Sequence, residues 1–205
     1  MSEVKGHEIP ATTTRVETIV VNSRFVTTAG HVDSVEAARA FIHVIRSEMA
    51  DANHHVYAFR VGHGASVIDG MSDDGEPSGT SGPPTMAVLR GSGLGDIVVV
   101  TTRFFGGTLL GTGGLTRAYS EAARAVLAAL PRIRKIQRAN YALEVPYSLY
   151  ELTLRLLSHY EVDITDQDFG ADVTVYYSVA VDHAAPLEKE MTELSSGSVT
   201  PTFLD

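Results

Sequence analysis

The chain has 205 residues, of which 44% are hydrophobic and 20% charged, no cysteine, and a net charge of -9. That length suits one large domain or two small ones with a real core. The missing cysteines exclude disulfides and thiolate metal sites, and the acidic balance speaks against broad nucleic-acid binding. No apolar run approaches the roughly 18 residues of a membrane helix. MSEVKGHEIP lacks the basic and apolar parts of a signal peptide, so a cytoplasmic protein is expected.

In chain order, residues 15–21 and 24–31 predict two strands with a hairpin turn at Asn22-Ser23. Asp33 and Glu36 have capping-box spacing, and Val35, Ala38, Ile42, Ile45 and Met49 follow at helical intervals. HHVYAFRV, 54–61, predicts a strand, with ASVIDG as its hairpin partner. MSDDGEPSGTSGPP, 71–84, has no periodicity and predicts a long loop of the kind that often carries function. A short helix over 84–90 follows. DIVVVTTRFF, 96–105, predicts a buried strand. RFFGGTLLGTGGLTRAYSEAA, 103–123, then crowds glycines ahead of a helix from about 115 to 130.

Residues 1–138 carry a net +1 and residues 139–205 a net -10. The step falls at PRIRKIQR, 131–138, where Arg132, Arg134, Lys135 and Arg138 cluster. It marks a domain boundary, with 1–134 before it and 135–205 after it. The cluster itself reads either as a solvated connector or as a polyanion contact. Beyond it, Ala139, Tyr141, Leu143 and Val145 alternate as a strand, and Ser148 with Glu151 predicts a capping box for a helix through 159. Strands near 162–168 and 172–181 follow. Pro186 suits the first turn of a helix to 194, and VTPTF a last strand. The order βαββαβ is the ferredoxin-like split pattern, so the fold class is α+β.

The glycine loop first suggests an anion site, because a helix start offers unpaired N–H groups and a partial positive charge. Gly106 and Gly111 have P-loop spacing, but Thr112 and Gly113 stand where that motif needs Lys and Ser/Thr. A weaker anion site remains open, with Arg103 and Arg117 flanking Gly106, Gly107, Gly111, Gly113 and Gly114. The alternative is a tight strand-to-helix turn. Asp73, Asp74 and Glu76 lie close together in the other loop. Their spacing is not that of a calcium loop, and acids in such loops are usually solvated. Ser78, Thr80 and Ser81 lack a nucleophile elbow. His54 and His55 open a strand and face opposite ways, so one of them at most joins a given site. What stands out is co-occurrence: His54, the acid-glycine loop and the Arg-flanked glycine loop.

SDDGEPSGTSGPP at 72–84 and TRFFGGTLLGTGGLTRAYSEA at 102–122 strongly resemble the signature of the IMPACT/YigZ family. ANHHVYAFR at 52–60 and SRFVTTAGHVDSVEAARAFI at 23–42 also resemble family segments. The resemblance implies a ribosomal-protein-S-five-like β-α sandwich over 1–134. Residues 135–205 are similar to the last domain of elongation factor G. Eukaryotic relatives act in translational control; bacterial relatives have no settled activity. The family carries Tyr where Phe104 stands, Lys where Leu109 stands, and Asn or a small residue where His55 stands.

Two functions follow as expectations, neither with a cofactor, and the first with no metal. The first is a cytoplasmic binding protein in translation regulation, contacting RNA, the ribosome or a translation-associated protein. Its surfaces are the glycine loops and Arg132, Arg134, Lys135 and Arg138. The second is an enzyme acting on a small phosphorylated or acidic substrate. There Arg103 and Arg117 clamp the anion, His54 serves as acid or base, and Asp73 with Glu76 could hold a metal. Asp74, Ser78 and Thr80 line the cleft in either case. The oligomeric state is not legible.

Overall fold

The computed structural model describes residues 6–63 and 66–204. It divides into two compact units, His7–Lys135 and the chain from Ile136 onward. The elements of the first are β1 (His7–Pro10), β2 (Thr14–Val20), β3 (Ser23–His31), α1 (Val35–Glu48), β4 (His54–Val61), β5 (Ile68–Ser72), α2 (Gly82–Gly91), β6 (Ile97–Phe104), α3 (Gly111–Ala129) and β7 (Arg132–Lys135). Five strands form one antiparallel sheet in the order β2-β3-β6-β4-β5.

Helices cover both faces of this sheet. On one face Ala38, Ile42 and Ile45 of α1 pack against Phe59, Val61, Val98 and Val100. On the other, α2 and α3 bring Met86, Leu89, Val126 and Leu127 onto Ala29, Ala58, Ile97 and Val99. Double coverage explains why IVVVTT of β6 reads as an unbroken apolar and threonine run rather than an alternation. Register then fixes the side-chain rows. His54 pairs with Arg103, and Arg103 with Phe25, so the three lie in one row across the sheet. Val56, two residues on from His54, packs with Phe25 against Leu115, Ala118 and Tyr119 of α3. The row therefore faces α3.

The second unit contains β8 (Arg138–Val145), α4 (Tyr147–Ser158), β9 (Asp163–Phe169), β10 (Val173–Ala180), α5 (Val181–Leu194) and β11 (Thr202–Leu204). Its sheet order is β11-β8-β10-β9, the ferredoxin-like arrangement. Leu143, Val145, Val173, Val175, Tyr177 and Val179 close its core with Leu157, Leu187 and Met191. The α+β class and the βαββαβ order thus hold.

Several local expectations need correction. The first hairpin turns at Val21-Asn22, not Asn22-Ser23, and both residues take positive φ, as a two-residue hairpin requires. Ser34, not Asp33, caps α1, its side chain accepting from the Ala37 N–H. α4 starts behind Pro146 with no side-chain cap, so Ser148 and Glu151 form no capping box. Pro186 lies inside α5 rather than in its first turn. α3 begins at Gly111, placing Gly111, Gly113 and Gly114 in the helix itself. Of ASVIDG, Ile68 to Gly70 are in β5, while Ala65 lies outside the described residues.

The basic segment is exposed along its whole length, as a solvated connector would be, but part of it is regular. Arg132 to Lys135 form β7, which pairs with β1, a strand that periodicity could not reveal in four residues.

Candidate functional site

The two glycine-rich loops meet over the His54–Arg103–Phe25 row. The acidic loop is built on Asp73. Its carboxylate accepts from the N–H groups of Gly79 (2.8 Å), Ser81 (3.0 Å) and Gly82 (2.8 Å) and from the Ser81 hydroxyl (2.7 Å). Burial acts to raise the Asp73 carboxyl, but these four donors outweigh it and hold it below the usual range. Asp73 is therefore consumed in shaping the loop and the start of α2. Thr80 donates to the Pro77 carbonyl (2.6 Å), and Ser78 is exposed.

Asp74 sits at φ 45 and braces the same loop against neighbouring elements. Its carboxylate accepts from the His55 N–H (2.6 Å) and from Arg46 (2.6 Å), and its carbonyl lies 2.8 Å from His54 Nδ1. The turn through Asp74 and Gly75 delivers Glu76 into the interior, where its side chain is 3% exposed.

Glu76 is the hub. Its Oε1 accepts from Arg103 Nη1 (2.8 Å) and from the Tyr119 hydroxyl (2.7 Å). Arg103, 6% exposed, also donates through Nη2 to Ser23 Oγ (3.2 Å). Its Nε is buried and makes no hydrogen bond, and the guanidinium lies 5.5 and 5.6 Å from the Phe25 and Phe105 ring centres. Tyr119 meets Phe25 edge-on at 5.3 Å. Burial first, and then the bond to Glu76, push the Tyr119 phenol far up, so it stays a neutral donor. A buried ion pair of this kind is tolerable because additional hydrogen bonds satisfy its oxygens.

Above this network lies a cleft of about 430 Å³. His54, Glu76 and Arg103 line its floor, and Pro77, Phe105, Leu109, Leu110 and Leu115 line its walls. Gly75, Gly111 and Thr112 complete it with Asn53, whose Oδ1 accepts from the Phe105 N–H (2.8 Å). Phe105 is 44% exposed and Leu109 87%, a high exposure for a leucine. Among the glycines, Gly106 has a specific steric cause: an added Cβ would meet the Asn22 carbonyl oxygen at 2.0 Å.

Of the sequence-selected residues, the fold joins His54, Glu76, Arg103 and Gly111 in one cleft and uses Asp73 and Asp74 as supports. Arg117 is exposed on α3 and does not line the cleft, so the expected Arg103–Arg117 clamp does not form. The Asp73–Glu76 metal pair also fails, since loop donors occupy both oxygens of Asp73 while Glu76 turns away to Arg103 and Tyr119. No metal-type cluster occurs among the described residues. Sequence reasoning missed Tyr119, Ser23, Asn53, Phe105 and Leu109. Tyr119 stands within the glycine-loop signature, four residues after Leu115 on the same helical face.

Each member of the basic cluster has an internal partner, though all four residues are exposed. Arg132 bonds Glu8 (3.0 Å), and Lys135 bonds the buried Asp96 (2.5 Å). Arg138 bonds Asp163 (2.9 Å) and the Ser178 carbonyl (2.7 Å), and Arg134 is not free either. A larger groove, about 830 Å³ between α2 and α3, contains none of His54, Glu76 or Arg103.

Fold and site together define a two-unit α+β protein with a polar-floored, apolar-walled cleft. The Impact N-terminal domain matches residues 21–127, and a domain of unknown function (DUF1949) matches residues 143–198. The IMPACT family member of Haemophilus influenzae is 35% identical over 198 residues, 96% of each chain. The IMPACT family member YigZ of Escherichia coli is 38% identical over 192 residues, 93% of this chain and 94% of that one. A crystal structure of a hypothetical protein superposes with a TM-score of 0.69 at 35% identity, covering 99% of both chains. The chain belongs to the IMPACT family. No helix among the described residues is long and apolar enough to cross a membrane.

Proposed function

We propose that this chain is a cytoplasmic binding protein in translation regulation, and that the cleft between its two glycine-rich loops docks a translation-associated protein. The observation that carries this reading is the exposed apolar rim, Phe105 and Leu109, above a floor of buried, mutually paired charges. Exposed large apolar groups beside a cavity mark interaction sites, and a carboxylate and guanidinium engaged with each other are poor candidates for chemistry. The family resemblance to regulators of translation supports the setting. The pairing of Arg132, Lys135 and Arg138 weighs against RNA as the main partner.

Sedimentation with purified ribosomes tests this. The wild-type chain is expected to co-sediment with ribosomes near physiological salt, and Leu109→Asp to abolish it without changing stability. Equal binding to protein-free ribosomal RNA, falling steeply with salt, would replace the protein-docking reading with an RNA one. Absence of binding to either would end the translation reading.

A second reading, an enzyme for a small phosphorylated or acidic substrate, has one observation in favour: His54, Glu76 and Arg103 share one cleft. Against it, both Arg103 Nη atoms are engaged and Arg117 stands apart. Inorganic phosphate and small dicarboxylates raising the melting temperature of the wild type, but not of His54→Ala, would favour it.

A further inference from the structure

Glu76 has two carboxylate oxygens, and the internal network uses one. Arg103 and Tyr119 both donate to Oε1. Among the described residues no hydrogen bond reaches Oε2, whose charged neighbour is His54 Nε2 at 3.9 Å. His54 Nδ1 lies 2.8 Å from the Asp74 carbonyl oxygen. A carbonyl can only accept, so in the neutral imidazole this contact assigns the ring hydrogen to Nδ1 and leaves the Nε2 lone pair toward Glu76. Two acceptors therefore face one another, beyond hydrogen-bond reach, on the floor of a cleft of about 430 Å³.

We propose that this floor receives a primary ammonium group on an unbranched aliphatic stem, the lysine side chain of the docked protein. The inference rests on the docking reading and names the chemistry of its anchor. An ammonium has three donors and no acceptor, and it satisfies Oε2 and Nε2 together. An incoming carboxylate or phosphate meets two lone pairs instead. The neighbouring cation, Arg103, is already paired with the Glu76 carboxylate at 2.8 Å. A guanidinium fits less well than an ammonium. Its planar fork wants both oxygens of one carboxylate, and Oε1 is already taken. Phe105, Leu109 and Leu115 supply an apolar wall for the methylene stem, in the way lysine stems lie along apolar surface with the head in a polar place.

The test is a titration of the full chain with n-butylammonium at about pH 8, where an ordinary histidine is neutral. Butyrate and n-butanol are the controls, and the His54 ring and Leu109 methyl signals are followed. Saturable shifts at both residues are expected with n-butylammonium, at an affinity at least about tenfold above either control. Glu76→Gln removes the carboxylate but disturbs Arg103 and Tyr119. His54→Phe is therefore the second variant; it leaves the Glu76 bonds in place and is expected to weaken n-butylammonium at least about tenfold. Butyrate binding as tightly as n-butylammonium, no saturation with n-butylammonium, or an unchanged affinity in His54→Phe would each overturn the ammonium site. Ribosome binding that still depends on Leu109 would then leave the docking reading standing. Loss of ribosome binding with the ammonium site intact would reject docking alone.

Discussion

Arg103→Met puts the buried network to a direct test. The substitution keeps an unbranched stem beneath Phe25 and Phe105 but removes the cation. Glu76, 3% exposed, is left with Tyr119 as its one hydrogen-bonding side-chain donor and His54 at 3.9 Å. Breaking a buried pair by deleting one partner costs about 3–5 kcal/mol, because the remaining charge is uncompensated. Removing the second charge should restore much of the loss. Arg103→Met/Glu76→Leu then suffers mainly from the orphaned Tyr119 hydroxyl, worth about 1–3 kcal/mol. Adding Tyr119→Phe removes that donor while retaining the edge contact to Phe25 at 5.3 Å. The expected order of stability is single variant lowest, double above it, and triple highest of the three. The assay is urea unfolding of the full chain, followed by circular dichroism and tyrosine fluorescence. A loss below about 1 kcal/mol for Arg103→Met would refute the reasoning, since solvent-screened surface pairs fall in that range. So would a double variant less stable than the single.

The glycine loop offers three contrasting alanine substitutions, read by thermal unfolding. Gly106→Ala must displace the Asn22 backbone and should lower stability most, by more than about 2 kcal/mol, whereas Gly107→Ala, at φ +83 with open space, should cost about 1–2 kcal/mol. Gly113→Ala, in α3 with nothing near the added Cβ, should stabilise by about 0.5–1 kcal/mol. Asp73→Ala leaves three N–H groups and one hydroxyl without their acceptor, and amide exchange at Gly79, Ser81 and Gly82 should accelerate at least tenfold, that is, by about 1.4 kcal/mol of local opening. Because the folded Asp73 carboxyl is depressed below its ordinary 3.8, its contribution is present above that value and disappears as pH falls through the folded one. His55 has the opposite chemistry: burial, the largest cause, lowers it from 6.5, so the unfolded chain takes up the proton first. Stability should therefore decline as pH falls below about 6.5, and His55→Gln, keeping a partner for Thr102, should flatten that slope in pH-dependent unfolding.

Much of this architecture was legible in the chain because its signals are local. The strict alternation of Val173 to Val179 and the apolar run of β6 gave strands of the right kind, although Val181 opens α5 instead of ending the strand, and helical spacing gave α1. The βαββαβ order fixed the class of the second unit. Alternation along β4 even required that His54 and His55 part, and they do: His55 turns to Thr102, while His54 faces the cleft. Tertiary structure alone decided which charges meet. Nothing local distinguishes Asp73, which knots its own loop, from Glu76, which crosses to Arg103 and Tyr119. Nor does composition tell a paired Lys135 from a free one; a four-residue strand formed with β1 consumes it. Such partners lie far apart in sequence, 27 residues for Arg103 and Glu76 and 43 for Tyr119 and Glu76. Their meeting depends on strand register and chain closure, which period and propensity do not encode. A strand or helix forms from its neighbours in sequence, but a buried charge is placed by whichever distant donors the finished fold brings to it.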